Sequence, residues 1–199
     1  MHPADTGGAT FSYSPLSDGQ NIKFGFCTID VIHSPGHTPG STSFLLNKKY
    51  LFTGDTIMKT SAGRPDLGGN SDEWSTLLFH TLFRRFMKLG DDMIVLPSHA
   101  TSIREQDSNG IIMTTLGEAR KKGDLFRIHD EVVFRQYIKA NLLENPGRYQ
   151  EIRLVNLGQH RYDETRLKEL EIGKNLCGMA KKMKVQPEHE DAGVNTRDC

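Results

Sequence analysis

The sequence has no excess charge of either sign and no long apolar run. Its 199 residues include 25 basic and 25 acidic side chains, a balance that argues against a chain built to bind nucleic acid. No apolar stretch approaches the ~20 residues that a membrane helix needs. The first residues, 1–5, lack the basic start and apolar stretch of a signal peptide. We therefore expect a protein that binds neither nucleic acid nor membrane.

Cysteine is scarce as well. The three cysteines, Cys27, Cys177 and Cys199, are odd in number, far apart and outside any Cys-x-x-Cys motif. This pattern argues against a disulfide framework and against a cysteine zinc site. It indicates a reducing compartment, and we expect a cytoplasmic location.

The length suits one domain followed by a tail. A mean hydropathy of -0.50 indicates a large polar surface. We predict loop or weak strand over residues 1–20, one domain over 21–160, a helical extension over 161–180 and a disordered, charged tail over 181–199.

Strand and helix patterns alternate along the chain, which is typical of an α/β fold. Strands are predicted at 28–32, 42–46, 50–53 and 93–96, and the last, a continuous apolar run, is interpreted as buried on both faces. Ser71 is the predicted N-cap of a helix over 73–88 that Gly90 ends. Further helices are predicted over 112–122, 131–143 and 164–170.

Three residues of types that bind metals each follow a predicted strand. They are His37, Asp55 and His99. Strand ends are where α/β folds assemble sites, since the sheet holds the backbone while the loops stay open. Imidazole nitrogen and carboxylate oxygen suit Zn²⁺, Fe²⁺ or Mn²⁺. Taken singly these residues are a loop histidine, a turn former and a core histidine, but together they favour a functional site.

The motifs around these residues resemble a known family. Residues 34–41 read Ser-Pro-Gly-His-Thr-Pro-Gly-Ser, residues 51–56 read Leu-Phe-Thr-Gly-Asp-Thr, residues 63–69 read Gly-Arg-Pro-Asp-Leu-Gly-Gly and residues 96–99 read Leu-Pro-Ser-His. Over about residues 18–158 the chain is similar to the second half of a metallo-β-lactamase-fold domain. The similar branch contains glyoxalase II-like hydrolases and persulfide dioxygenases.

The resemblance implies a fold and a chemistry. The fold would be α/β, the second half of an αβ/βα sandwich, with a mixed sheet and flanking helices. The substrate would be a thioester or persulfide of a small thiol, and the reaction metal-dependent hydrolysis or sulfur oxidation. The cofactor would be Zn²⁺, one or two ions, or Fe²⁺.

The resemblance also assigns roles to residues. His37 would be a ligand of the first metal and His99 of the second, while Asp55 would be the catalytic carboxylate that bridges both metals or binds a single iron. Arg64 and Asp66 would shape the loop over the pocket. For Arg64 a solvated loop charge is an equally good interpretation.

The family's His-x-His-x-Asp-His motif is absent from this sequence. Each metal would keep only two of its ligands, whereas a catalytic zinc normally has three protein ligands and a water. We therefore expect weak metal binding and doubtful activity for the chain alone.

The resemblance to only the second half of a sandwich also predicts that one apolar face of the sheet is left uncovered. Such a face is a site of association. The chain would then be a truncated product or a fragment of a longer protein. An alternative is a catalytically inert half-domain that acts as an interaction module, through self-association or with a separate N-terminal half.

Overall fold

The computed structural model describes residues 1–100, 102–142 and 148–172. The predicted tail, the last part of the predicted extension, Cys177 and Cys199 lie outside these ranges. The domain boundaries given above stay predictions.

A six-stranded mixed sheet forms the centre of the described fold, and its strands lie in sequence order. The strands are β1 Asn21–Phe24, β2 Cys27–His33, β3 Thr42–Leu46, β4 Tyr50–Gly54, β5 Ile94–Pro97 and β6 Thr114–Thr115. Only β4 and β5 are parallel; the other neighbours are antiparallel. Within the described ranges five α-helices accompany the sheet, α1 Ser71–His80, α2 Leu116–Lys122, α3 Glu131–Ala140, α4 Tyr149–Asn156 and α5 Glu164–Ile172. The predicted α/β class with flanking helices is confirmed.

One strand prediction and one helix prediction need correction. The strand near residues 93–96 is not buried on both faces, because Val95 is buried whereas Ile94 and Leu96 are half-buried. The helix predicted over 112–122 begins only at Leu116. The preceding residues Thr114–Thr115 instead pair with β5, and the Thr115 hydroxyl accepts a hydrogen bond from the Glu118 amide as the helix cap.

The long helix predicted over 73–88 is also different in detail. Asn70, not Ser71, is its N-cap. The α-helix ends at His80, and the chain continues through a π-helical segment, Thr81–Arg85, and a 3₁₀ turn, Phe86–Lys88. Periodicity predicts the buried side of this run, but it does not distinguish α from π geometry.

The hydrophobic core lies between the sheet and the helices. Leu51 and Val95 on the sheet pack in one cluster with Leu78 of α1 and Phe134 of α3, all of them fully buried. Burial of each such side chain stabilises the fold by roughly 1.5–3 kcal/mol relative to exposure. The core therefore fixes the strand ends on which the candidate site is built.

The opposite sheet surface is apolar but is not part of that core cluster. Strand pairing places Val31, Phe44, Phe52 and Leu96 in one row across four strands. We call this surface the open face. Its residues, of which Val31 is buried and only Tyr50 and Phe52 are exposed, are Ile29, Val31, Phe44, Leu46, Tyr50, Phe52, Ile94 and Leu96. Phe52 is 42% exposed.

Among the described helices, none combines the length and apolar character that crossing a membrane requires.

Candidate functional site

His37, Asp55 and His99 meet at one edge of the sheet. Asp55 directly follows β4, and His99 lies two residues beyond β5. Because these strands are parallel, their ends lie side by side, and the Ser98 amide donates to the Gly54 carbonyl at 3.0 Å. The loop that follows β2 delivers His37 to the same place. The structure thus brings together all three residues predicted from the strand ends.

The carboxylate of Asp55 is the centre of this group. Its Oδ1 lies 2.6 Å from Nδ1 of His99, and its Oδ2 lies 3.5 Å from Nε2 of His37. On the far side of the His37 ring, Nδ1 lies 2.9 Å from the Arg64 carbonyl oxygen. A carbonyl only accepts, so Nδ1 is the donor there. Nε2 is therefore the nitrogen that His37 turns toward Asp55.

The electrostatics of His99 follow from the same carboxylate. Its hydrogen bond with Asp55 and the negative charge there raise the pKa of His99 above its usual value, while burial acts in the opposite direction. The His99 side chain is 41% exposed. Without a metal, Asp55 therefore favours a protonated His99.

Two glycines permit the close packing around His37. At Gly36 φ is +148°, and a Cβ there would lie 2.5 Å from the Cα of Leu78, so helix α1 lies directly against the loop. A Cβ on Gly63 would lie 2.8 Å from Nδ1 of His37. A side chain at Gly63 would therefore meet the imidazole of His37, and one at Gly36 would meet Leu78 of helix α1.

Asp5 holds the His37 loop from the other side, and sequence reasoning missed it. Its Oδ1 accepts from the Gly40 amide at 2.8 Å, and its Oδ2 accepts from the Thr38 hydroxyl at 2.5 Å. The residue lies in a short 3₁₀ helix, Pro3–Asp5. The sequence has no local signal that links it to a loop more than thirty residues away.

Arg64 and Asp66 form a bidentate ion pair next to His37. Nε of Arg64 lies 2.7 Å from Oδ1 of Asp66, and a terminal nitrogen lies 2.6 Å from Oδ2. Arg64 is only 1% exposed, so the interpretation as a solvated loop charge is wrong. Since the Arg64 carbonyl accepts from His37, the ion pair holds the residue that orients the imidazole.

The donor types suit Zn²⁺ or Fe²⁺, but the described residues do not complete a metal site. Each oxygen of Asp55 faces one imidazole, and the described ranges contain no cluster of three or more His, Cys, Asp or Glu side chains placed to hold an ion. Other described histidines are engaged elsewhere: His80 faces Glu131, and His2 stacks on His33. The assignment of His37, Asp55 and His99 as metal ligands stays a prediction.

Comparison with known proteins supports the resemblance. No family model matches the chain. It is 29% identical over 128 residues to the mitochondrial persulfide dioxygenase ETHE1 of Bos taurus, covering 64% of this chain and 46% of that protein. It is 27% identical over 121 residues to a hydroxyacylglutathione hydrolase of Haemophilus ducreyi, covering 59% of this chain and 49% of that one.

A solved structure shares the fold. A metallo-β-lactamase from Staphylococcus aureus superposes with a TM-score of 0.67 at 26% identity, over 75% of this chain and 46% of that chain. The chain spans about half the length of the curated relatives that it matches. The resemblance to the metallo-β-lactamase-fold superfamily, over part of that fold, is confirmed.

Proposed function

We propose that this chain, which carries part of a metallo-β-lactamase fold, contributes Asp55 and the two histidines beside it to a metal-dependent active site. The observation that carries the proposal is the placement of His37 and His99 on the two oxygens of one carboxylate. Bound Zn²⁺ or Fe²⁺ would provide Lewis-acid or oxygen chemistry. Because the described residues leave the ligand set incomplete, we assign no reaction step to the chain alone.

The proposed substrate is a persulfide or thioester of a small thiol. The names of the matched relatives support this choice, since one is a persulfide dioxygenase and another a hydroxyacylglutathione hydrolase. Both names describe action on a sulfur-bonded small molecule. The scarcity of cysteine leads us to propose a cytoplasmic location as well.

Metal titration tests the proposal directly. The purified chain, freed of metal, is titrated with Zn²⁺ by calorimetry and with Co²⁺ by absorbance. We expect weak binding that falls at least about tenfold in His37→Ala, Asp55→Ala and His99→Ala, since each removes a ligand. His160→Ala, outside the group, is the matched control. Zn²⁺ binding that is equal in all four variants would contradict the proposal.

Activity is tested after the ligand set is completed. The chain is mixed with, or fused to, the segment of a persulfide dioxygenase relative that contains the His-x-His-x-Asp-His motif. Oxygen uptake with glutathione persulfide and hydrolysis of lactoylglutathione are then measured. We expect one of these activities to appear and to be lost in Asp55→Asn.

A second candidate function is an inert half-domain that associates through the open face. The supporting observation is an uncharged sheet surface on which Tyr50 and Phe52 are 38% and 42% exposed. In the isolated protein the proposed occupant is a second copy of this chain, because two uncharged apolar faces meet without burying a charge. A separate N-terminal half would compete for the same face.

Sedimentation tests this second candidate. We expect a concentration-dependent dimer that Phe52→Lys dissociates. Phe26→Lys is the control, since Phe26 is fully exposed in the turn between β1 and β2, outside the open face. A monodisperse monomer that binds no hydrophobic dye would contradict association.

A further inference from the structure

Two histidine rings stack face to face where the N-terminal segment, residues 1–16, meets the sheet. The ring centroids of His2 and His33 lie 3.9 Å apart, and the ring planes differ by only 5°. We call this pair the histidine stack. His33 is the last residue of β2, and His2 directly precedes the 3₁₀ helix Pro3–Asp5. Both residues are half-buried. The stack therefore joins the segment that carries Asp5 to the strand that leads into the His37 loop.

The hydrogen bonds of the two rings show where a further proton must go. Nδ1 of His2 accepts from the Ala4 amide at 3.3 Å and so caps the short helix. Nε2 of His33 lies 2.8 Å from the Pro39 carbonyl oxygen, which only accepts, so this nitrogen is the donor. A neutral imidazole carries one proton, which leaves Nδ1 of both rings unprotonated. The next proton on either ring therefore goes to Nδ1.

Protonation of the histidine stack opposes its geometry in two ways. A proton on Nδ1 of His2 replaces the acceptor with a donor that faces the Ala4 amide, so the helix cap is lost. Two positively charged rings whose centroids are 3.9 Å apart also repel each other, whereas two neutral rings do not. Histidine ordinarily titrates near pH ~6.5, so both effects arise between neutral and mildly acidic pH.

The charged surroundings of the stack favour neutral rings at neutral pH. Burial and the neighbouring His33 lower the pKa of His2 below its usual value. The other charged groups that face the stack are the amino group of Met1, which acts in the same direction, the carboxylates of Asp5 and Asp18, which act against it, and Arg85, which pairs with Asp18. Because the folded pKa of His2 lies below that of the unfolded chain, about 6.5, the stacked arrangement is fully stabilised above that pH. This stabilisation is lost as pH falls through the folded pKa.

Asp5 and the histidine stack hold the same three residues of the His37 loop. Asp5 accepts from the Thr38 hydroxyl and from the Gly40 amide. The Pro39 carbonyl between them accepts from His33. Displacement of the N-terminal segment would therefore free the residues that directly follow the first predicted metal ligand.

We propose that the histidine stack is a pH-sensitive switch: neutral rings hold the N-terminal segment on the His37 loop, and protonation below about pH 6.5 releases it. The release itself needs no metal. Only its effect on metal binding rests on the proposed function, because a freed loop no longer holds His37 beside Asp55.

The test follows hydrogen exchange of the Gly40 amide by NMR in the metal-free chain. A local signal is needed because His99, whose pKa is raised, acts on global stability with the opposite sign. Protection is expressed relative to the unfolded chain at about pH 7.5 and about pH 5, on either side of ordinary histidine titration. We expect the wild-type chain to lose at least about fivefold of its Gly40 protection at the lower pH, since the amide's acceptor, Asp5, is released.

A double variant, His2→Asn with His33→Gln, removes the titrating rings and keeps their hydrogen bonds. Asparagine is a good helix cap, and the glutamine amide can still donate to the Pro39 carbonyl. Its Gly40 protection should change by less than about twofold between the same two pH values. His160→Asn, at an exposed histidine outside the stack, should keep the wild-type dependence on pH.

The outcomes separate the switch from the metal site. Equal pH dependence in the wild type and the double variant overturns the switch, as does wild-type protection that does not change. A second measurement needs no variant: the Cε1–H signals of His2 and His33 must titrate over the pH range in which Gly40 loses protection, and titration in another range overturns the switch. Failure of the metal titration overturns the proposed function and leaves the exchange result standing.

Discussion

Gly63 lies directly against the imidazole of His37. A Cβ on Gly63 would stand 2.8 Å from Nδ1 of that ring and would overlap the carbonyl oxygen of Asp55. The same imidazole nitrogen donates to the Arg64 carbonyl, the next residue in the chain. The missing side chain at Gly63 is therefore what lets the loop reach His37 and hold its orientation.

Replacement of Gly63 by alanine should disturb both stability and the site. We expect a loss of roughly 1–3 kcal/mol in the free energy of unfolding, since the clash is with backbone and a ring. Zn²⁺ binding should weaken as His37 turns away from Asp55. Gly7→Ala is the matched control, because a Cβ there has no neighbour within 4 Å. Urea unfolding curves that coincide for the two variants would show this packing argument to be wrong.

Asp5 should prove to be a structural clamp on the His37 loop. Asp5→Ala removes the acceptor for the Gly40 amide and the Thr38 hydroxyl, and we expect a loss of about 1–3 kcal/mol in the free energy of unfolding. Asp5→Asn should recover part of it, because an amide can accept from Gly40 and donate to Thr38. Asp92→Ala, at an exposed aspartate, serves as control. If Asp5→Ala lowers the free energy of unfolding no more than Asp92→Ala does, Asp5 does not clamp the loop.

The sequence predicts that His37, Asp55 and His99 each follow a strand, but it does not show which strands are neighbours. In the structure β4 and β5 are parallel neighbours, so the residues that follow them, Asp55 and His99, lie side by side. Whether they ligate a metal is a separate prediction. Burial of Arg64 was less predictable, because an arginine in a glycine-rich loop has no local pattern that reveals its partner.

What the sequence could not predict depends on tertiary contacts. Strand β6, Thr114–Thr115, forms because it meets Ile94 and Val95, and its own two residues carry no periodicity. The edge strand β1 was missed for a similar reason, since four residues with a lysine give a weak pattern. Asp5 acts on a loop remote in sequence, so only the folded chain reveals its role.

The pair Arg64 and Asp66 should be costly to break. Arg64→Ala leaves a largely buried carboxylate unpaired, and we expect a loss of about 3–5 kcal/mol in the free energy of unfolding. Arg64→Lys should restore little, because an ammonium cannot bond both oxygens in the guanidinium geometry. The measurement is chemical denaturation followed by circular dichroism.

An exposed pair in the same chain is the control for that prediction. Arg85 and Asp18 lie 2.7 Å apart with side chains 39% and 48% exposed. Arg85→Ala should cost less than about 1 kcal/mol, because solvent screens the pair. If Arg64→Ala lowers the free energy of unfolding no more than Arg85→Ala does, the buried pair of Arg64 and Asp66 does not stabilise its loop.

The pairing of His99 with Asp55 predicts a pH dependence in the metal-free protein. The hydrogen bond with Asp55 raises the pKa of His99 above 6.5. Because the folded pKa exceeds that of the unfolded chain, about 6.5, His99 contributes its full stabilisation below that pH. The contribution is lost as pH rises through the folded pKa. The stability advantage of wild type over His99→Gln should therefore shrink with rising pH. An NMR titration should give a lower His99 pKa in Asp55→Asn, and a pKa equal in both proteins would contradict the pairing.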